Sequence, residues 1–168
     1  MNFLVRCTIL SILVNSIAGP VSGQISFRSL PDFPAFKLID SEGKVFTSTQ
    51  VQKRKRPTVV VYFSPTCHHC QSQTLDITSN MKLFKDVQFL FVTSYPEADT
   101  KTFLSEFALE KFSNIRFGYD TAFAMGRFFE LKSLPGVFIY NEEGKFVKAF
   151  ETNIKPETLK EAIGAGEK

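Results

Sequence analysis

Tryptophan is absent from this chain, histidine occurs twice and cysteine three times. So few thiols exclude the disulfide framework that staples small secreted scaffolds. Both histidines, His68 and His69, are adjacent in one short motif, so no distant imidazole is available to complete a metal site. The formal net charge of +3 leaves no electrostatic footprint for nucleic acid. The one dense basic run, Lys53-Arg54-Lys55-Arg56, reads as a solvated loop before a buried strand, with docking to an acidic partner or an anionic membrane as the alternative. Repeats and low-complexity segments are also missing. What remains is 168 residues, 43% of them hydrophobic, enough for one domain with a single filled core, and its 19 phenylalanines read as core material.

The amino terminus reads as a secretory signal. Arg6 supplies the positive end, Cys7 to Ala18 form an apolar stretch, and Gly19, Ser22 and Gly23 are the small residues of a cleavage site expected after Gly23. The stretch is short for a membrane span, and an uncleaved anchor is the alternative. Arg6 directly before Cys7 argues against lipidation there. Removal of residues 1–23 leaves Cys67 and Cys70 as the only thiols, and an exported chain with one such pair points to a working rather than a stapling disulfide.

Those two cysteines frame Cys67-His68-His69-Cys70. The run Thr58-Val59-Val60-Val61-Tyr62-Phe63 before them is β-branched and aromatic throughout, the pattern of a strand buried on both faces. Ser64-Pro65-Thr66 ends it, and a helix is expected from Cys67 to about Phe84. Cys70 then lies three residues on, on the same helix face, where the two sulfurs can close a small disulfide ring. The sulfur of Cys67 is expected to face the unpaired first-turn amides and the positive end of the helix dipole, which favour a thiolate. Cys67 is therefore the candidate nucleophile and Cys70 the less exposed partner.

Around this motif, Phe36-Lys37-Leu38-Ile39 and Lys44-Val45-Phe46 flank Asp40-Ser41-Glu42-Gly43 as a hairpin, with Gly43 at positive φ. Val87 to Val92 reads as a second buried strand and Asp99 to Lys111 as an amphipathic helix. Phe117 to Asp120 leads into a short helix, Thr121 to Phe129. Val137 to Tyr140 and Lys145 to Phe150 form a second hairpin across Asn141-Glu142-Glu143-Gly144, and Pro156 to Ile163 closes the chain as a helix. This order predicts an α/β fold with a central mixed β-sheet, helices on both faces and an N-terminal β-hairpin.

Taken together, Pro31-Asp32-Phe33 with the hairpin to Phe46, the strand and CxxC from Val59 to Cys70, and Leu134-Pro135-Gly136-Val137-Phe138-Ile139 resemble the thioredoxin-like fold. The likeness is greatest to the extracytoplasmic TlpA-like and ResA-like thiol-disulfide oxidoreductases of the broader redoxin group, and it covers the chain from about Pro31 to Ile163. It implies a signal peptide over 1–23 and a thioredoxin-like domain over 24–168. It also implies a cis Pro135 against the disulfide, with Leu134, Pro135, Thr66 and His68 docking a substrate chain. Some positions depart from the family. Thr66 stands where thioredoxins have tryptophan, and the two acids that relatives use as proton carriers fall at Val61 and Gln73. His69 is similar to the histidine of oxidising periplasmic relatives. Protonated His69 or His68 would add positive charge beside the Cys67 thiolate and make the protein a stronger oxidant.

The resemblance implies thiol-disulfide exchange at Cys67 and Cys70 without a cofactor. The implied partners are protein substrates carrying thiols or disulfides, and a membrane thiol relay; the chain is expected to act as a monomer. Two alternatives stay open. One is Cu(I) held by the two thiolates, since four consecutive residues cannot wrap a tetrahedral zinc. The other is a peroxidase of the peroxiredoxin type, whose Pro-x-x-x-Thr-x-x-Cys pattern meets Val60 and Ser64 here.

Overall fold

The computed structural model describes residues 30–52, 56–95 and 97–167. The expected signal over 1–23 and the first three residues of the basic run lie outside them. Seven strands form one sheet in the order β2-β1-β5-β4-β3-β6-β7. They are β1 Lys37–Ile39, β2 Val45–Thr47, β3 Thr58–Tyr62, β4 Gln88–Thr93, β5 Ile115–Tyr119, β6 Gly136–Tyr140 and β7 Phe146–Phe150. β3, β4 and β5 run parallel, while β6 pairs antiparallel with β3 and with β7, and β1 with β2 and β5. The mixed sheet and the N-terminal hairpin match the sequence reading.

Alternation sorts the strand side chains into two cores. Val59, Val61 and Phe63 point to the face covered by α1 (His68–Ser79), α2 (Glu97–Glu106) and α4 (Pro156–Gly164), among Ile77, Phe103, Leu159 and Ile163. Val60 and Tyr62 point to the other face, under Met125 of α3 (Ala124–Phe128) with Phe33, Phe46 and Phe129. Every residue of β3 is buried, as its apolar run requires once helices cover both faces. Phe63 stacks on Phe103 at 4.5 Å between ring centroids and ties the end of β3 to α2.

The hairpin turns share one geometry. Asp40 Oδ1 accepts the amides of Glu42 and Lys44, and Asn141 Oδ1 those of Glu143 and Lys145. Gly43 and Gly144 take φ of 82° and 78°, a region in which a side chain would be strained.

Several elements differ from their expected extents. The helix expected to run to Phe84 ends at Ser79, where Asn80 leaves helical geometry and its amide caps the Asp76 carbonyl at 2.9 Å; a single 3-10 turn, Met81–Phe84, follows. α2 begins at Glu97 and stops at Glu106, because Ala108 adopts a left-handed φ of 50° before the turn Leu109–Lys111. Residues read as a lead into a helix belong to β5, whose Arg116 lies 3.7 Å over the Phe46 ring and thus fits a half-buried strand despite its charge. The helix expected over Thr121 to Phe129 shrinks to α3 between Phe123 and Glu130, both at positive φ.

Asp120 starts that short helix. Only 1% exposed, it accepts the amides of Ala124 at 2.8 Å, Met125 at 2.8 Å and Gly126 at 3.2 Å, together with the Tyr62 hydroxyl at 3.1 Å. Removing the carboxylate leaves buried donors without partners, so Asp120→Ala is expected to cost about 3 kcal/mol in a urea unfolding titration. A loss below about 1 kcal/mol, the scale of one ordinary hydrogen bond, would refute this capping account.

Candidate active site

β3 delivers the chain through Phe63 and the buried Ser64 and Pro65 to the motif at the start of α1. Cys67 is the N-cap, at φ −87° and ψ 115°, and its carbonyl accepts the first helical bond from Gln71 at 3.0 Å. The Gln71 side chain reaches back to the Pro65 carbonyl at 2.9 Å and fixes the turn. Both cysteines are free thiols. Cys67 is half-buried, whereas Cys70 is 0% exposed and packs in the core with Val61, Phe63 and Ile77.

The two sulfurs have different partners. That of Cys67 receives no capping hydrogen bond from the first-turn amides, contrary to the expectation from helix position; its thiol points instead at the Leu134 carbonyl, 3.9 Å away. The sulfur of Cys70 accepts the Ser64 amide at 3.5 Å. Burial pushes the Cys70 thiol up to about 12, because the core disfavours the anion; the Ser64 amide opposes the shift, and the neighbouring Cys67 adds to it.

The Leu134-Pro135 peptide bond is cis, and Pro135 is buried directly before β6. β6 lies beside β3 in the sheet, with Gly136 opposite Tyr62, which is how residues far apart in sequence meet at the Cys67 sulfur. Thr66, His68 and His69 are exposed. Thr66 shares a hydrogen bond with Ser64 at 3.2 Å, and neither imidazole has a hydrogen bond among the described residues. No group of three His, Cys, Asp or Glu side chains suited to a metal occurs among the described residues.

Beyond Leu134 opens a cleft of about 410 Å³ walled by Tyr62, Tyr95, Phe123, Leu131 and Leu134. Phe123 stands edge-on to Tyr62 at 6.0 Å and is 40% exposed, in a left-handed backbone conformation that bulky residues rarely take.

Two polar side chains tie this site to the chain after β7: Gln73, noted in the sequence only as a neutral residue at an acid position, and Asn153, which the sequence does not announce. Gln73 is fully buried, and its amide bonds to both backbone groups of Ile154, donating at 3.2 Å and accepting at 2.7 Å. Asn153 donates to the His69 carbonyl at 2.8 Å. The Gln73 amide supplies both a donor and an acceptor to Ile154, where an ionised carboxylate could only accept. That requirement gives a structural reason for Gln73, and no spacing in the sequence could have announced it, because the partner lies far along the chain.

The model of the redoxin family matches residues 30–164. No curated protein matches the chain. Among solved structures, a secreted disulfide oxidoreductase of Mycobacterium tuberculosis, homologous to E. coli DsbE, superposes with a TM-score of 0.65 at 15% identity, covering 77% of this chain and 95% of that one. The exposed lipoprotein thioredoxin Etrx1 of Streptococcus pneumoniae gives 0.63 at 19% identity over 79% and 99% of the two chains. The peroxidoxin BcpB of M. tuberculosis gives 0.67 at 12% identity over 82% and 97%. At these identities the likeness is one of fold.

The burial of Cys70 has a direct consequence for pH. Its thiolate fraction rises roughly tenfold per pH unit while the pH is below the thiol's titration point, which burial places at about 12. Alkylation of Cys70 in a Cys67→Ser variant, followed by mass spectrometry, is therefore expected to accelerate steadily with pH through the neutral range. A plateau near neutral pH would overturn this account.

Proposed function

The chain belongs to the redoxin family and is a thioredoxin-like oxidoreductase, and we propose that it exchanges disulfides with protein substrates outside the cytoplasm, using Cys67 and Cys70. One observation carries the reading: a half-buried thiol at a helix start stands 3.9 Å from the Leu134 carbonyl, with a second, buried thiol behind it.

In the reducing direction the Cys67 thiolate attacks one sulfur of a client disulfide. A Cys67-client disulfide forms, and the client's other sulfur leaves as a thiolate and takes a proton. Cys70 then loses its proton, attacks the Cys67 sulfur and closes the Cys67-Cys70 disulfide, releasing the second client thiolate. The client has gained the two electrons that the protein has lost; because Cys67 enters as a thiolate, the one proton that the protein gives up is that of Cys70. The reverse sequence oxidises a client dithiol. Leu134 and Pro135 offer the backbone along which an extended client segment lies, with the exposed Thr66 and His68 as further docking residues, so the client's cysteine is held at the Cys67 sulfur. A membrane thiol relay returns the protein to its starting redox state.

The resolving step meets a barrier specific to this chain. Cys70 must ionise in an apolar environment, yet Val61 is fully buried hydrocarbon and Gln73 is an amide already committed to Ile154. The proton therefore leaves to solvent or to the client sulfur, not to a carboxylate at either position.

Replacing Cys70 with Ala removes the resolving thiol, so mixed disulfides with client proteins should accumulate on Cys67 and be recovered on non-reducing gels. Accumulation on Cys70 in the Cys67→Ala variant instead would reverse the roles. For the location, mass spectrometry of protein from its native host is expected to find an amino terminus near Gln24; an intact Met1 in a soluble cytosolic fraction would refute export.

A further inference from the structure

The segment after β7 touches both halves of the site. Register places Phe150 opposite Val137, so Glu151 emerges from the sheet next to the chain that has just passed Pro135. The Glu151 carboxylate accepts the Lys132 amide at 2.9 Å, and its backbone carbonyl accepts the Ser133 hydroxyl at 2.6 Å. These two bonds hold the turn that leads into Leu134. Two residues on, Asn153 donates to the His69 carbonyl inside the motif, and Ile154, 7% exposed, is held by both polar atoms of Gln73 on α1. Residues 151–154 therefore form a brace, anchored at one end to the loop that carries Leu134 and at the other to the helix that carries both thiols.

The brace adds a further tie between the sulfur of Cys67 and the carbonyl of Leu134, beyond the β3-β6 pairing and the core against which both residues pack. Each is reached across a loop, Ser64-Pro65-Thr66 on one side and Lys132-Ser133-Leu134 on the other, and loops adjust more readily than strands. A client segment that pairs with the Leu134 backbone and presents sulfur to Cys67 needs both loops in fixed relation, because small misplacements of reacting groups cost rate steeply.

Resting on the exchange reaction proposed above, we propose that Glu151 is a positioning residue for it, fixing the Leu134 docking loop in relation to the thiol-bearing helix. It touches neither sulfur and does no chemistry itself. The residue serves only clients that use the docking loop. A small disulfide that reaches Cys67 without lying along Leu134 does not depend on it.

The test compares wild type, Glu151→Ala and Glu151→Gln with two substrates, a disulfide-linked peptide and 5,5′-dithiobis(2-nitrobenzoate), using dithiothreitol as electron donor. Glu151→Ala is expected to raise KM for the peptide roughly three- to tenfold, the range for losing one ordinary, solvent-accessible hydrogen bond. Its kcat, its turnover of the small disulfide and its thermal midpoint should stay at wild-type values. Glu151→Gln keeps an acceptor oxygen for the Lys132 amide and should restore the peptide KM. An unchanged peptide KM in Glu151→Ala, a parallel loss on both substrates, or failure of Glu151→Gln to rescue would each overturn the positioning role while leaving the exchange reaction standing. A wild-type protein inert toward both substrates would instead overturn the exchange reaction, and this role with it.

Discussion

The asymmetry between the two thiols rests on the complete burial of β3. A strand sealed on both faces has no place for a charged nucleophile until the chain passes its end, and there it turns outward through Ser64, Pro65 and Thr66. The first cysteine meets solvent at the start of α1, and the second is carried one turn inward onto the core that the strand built. The same burial that stabilises the sheet holds Cys70 neutral. Stability of the fold and reluctance of the inner thiol to ionise are thus two effects of one packing arrangement.

That arrangement is unrelieved by charge. At Val61 and Gln73, both buried, this chain has an alkyl group and an amide. The amide earns its place structurally, since a carboxylate could not donate to the Ile154 carbonyl while also accepting from the Ile154 amide. An ionised acid at this position would give up the bond to the Ile154 carbonyl, so charge beside Cys70 and the anchoring of Ile154 draw on the same side chain.

Much of this was legible in sequence because it is local. The β-branched run of β3, the CxxC after it, the two Gly-containing hairpin turns and the Leu134-Pro135 segment before an apolar strand each carry their signal within a few residues. The limits of the helices were less legible. Asn80 ends α1, and Ala108, Phe123 and Glu130 take left-handed conformations that their residue types do not advertise. β5 escaped notice because Arg116 interrupts its apolar pattern, although the guanidinium lies flat on the Phe46 ring. In the site, the partner of the Cys67 sulfur could not be read from helix position: the Leu134 carbonyl lies in the loop before β6, distant in sequence, and the β3-β6 pairing brings it close. The Glu151 and Gln73 contacts were invisible for the same reason.

The matched hairpin turns have a consequence for the order in which the molecule is built. Asp40 with Gly43 and Asn141 with Gly144 close loops of a few residues, so the two margins of the sheet pair at small entropic cost. The middle of the sheet, β5-β4-β3-β6, needs longer closures, the longest joining Thr58 to Tyr140, and is intrinsically slower to assemble. The thiols and the Leu134 carbonyl belong to that slow interior. A chain that has zipped only its margins carries two ordinary cysteines, and the distinction between an outer and an inner sulfur arises only once the core that buries Cys70 has assembled, so unequal reactivity of the two thiols is itself a signature of the folded molecule.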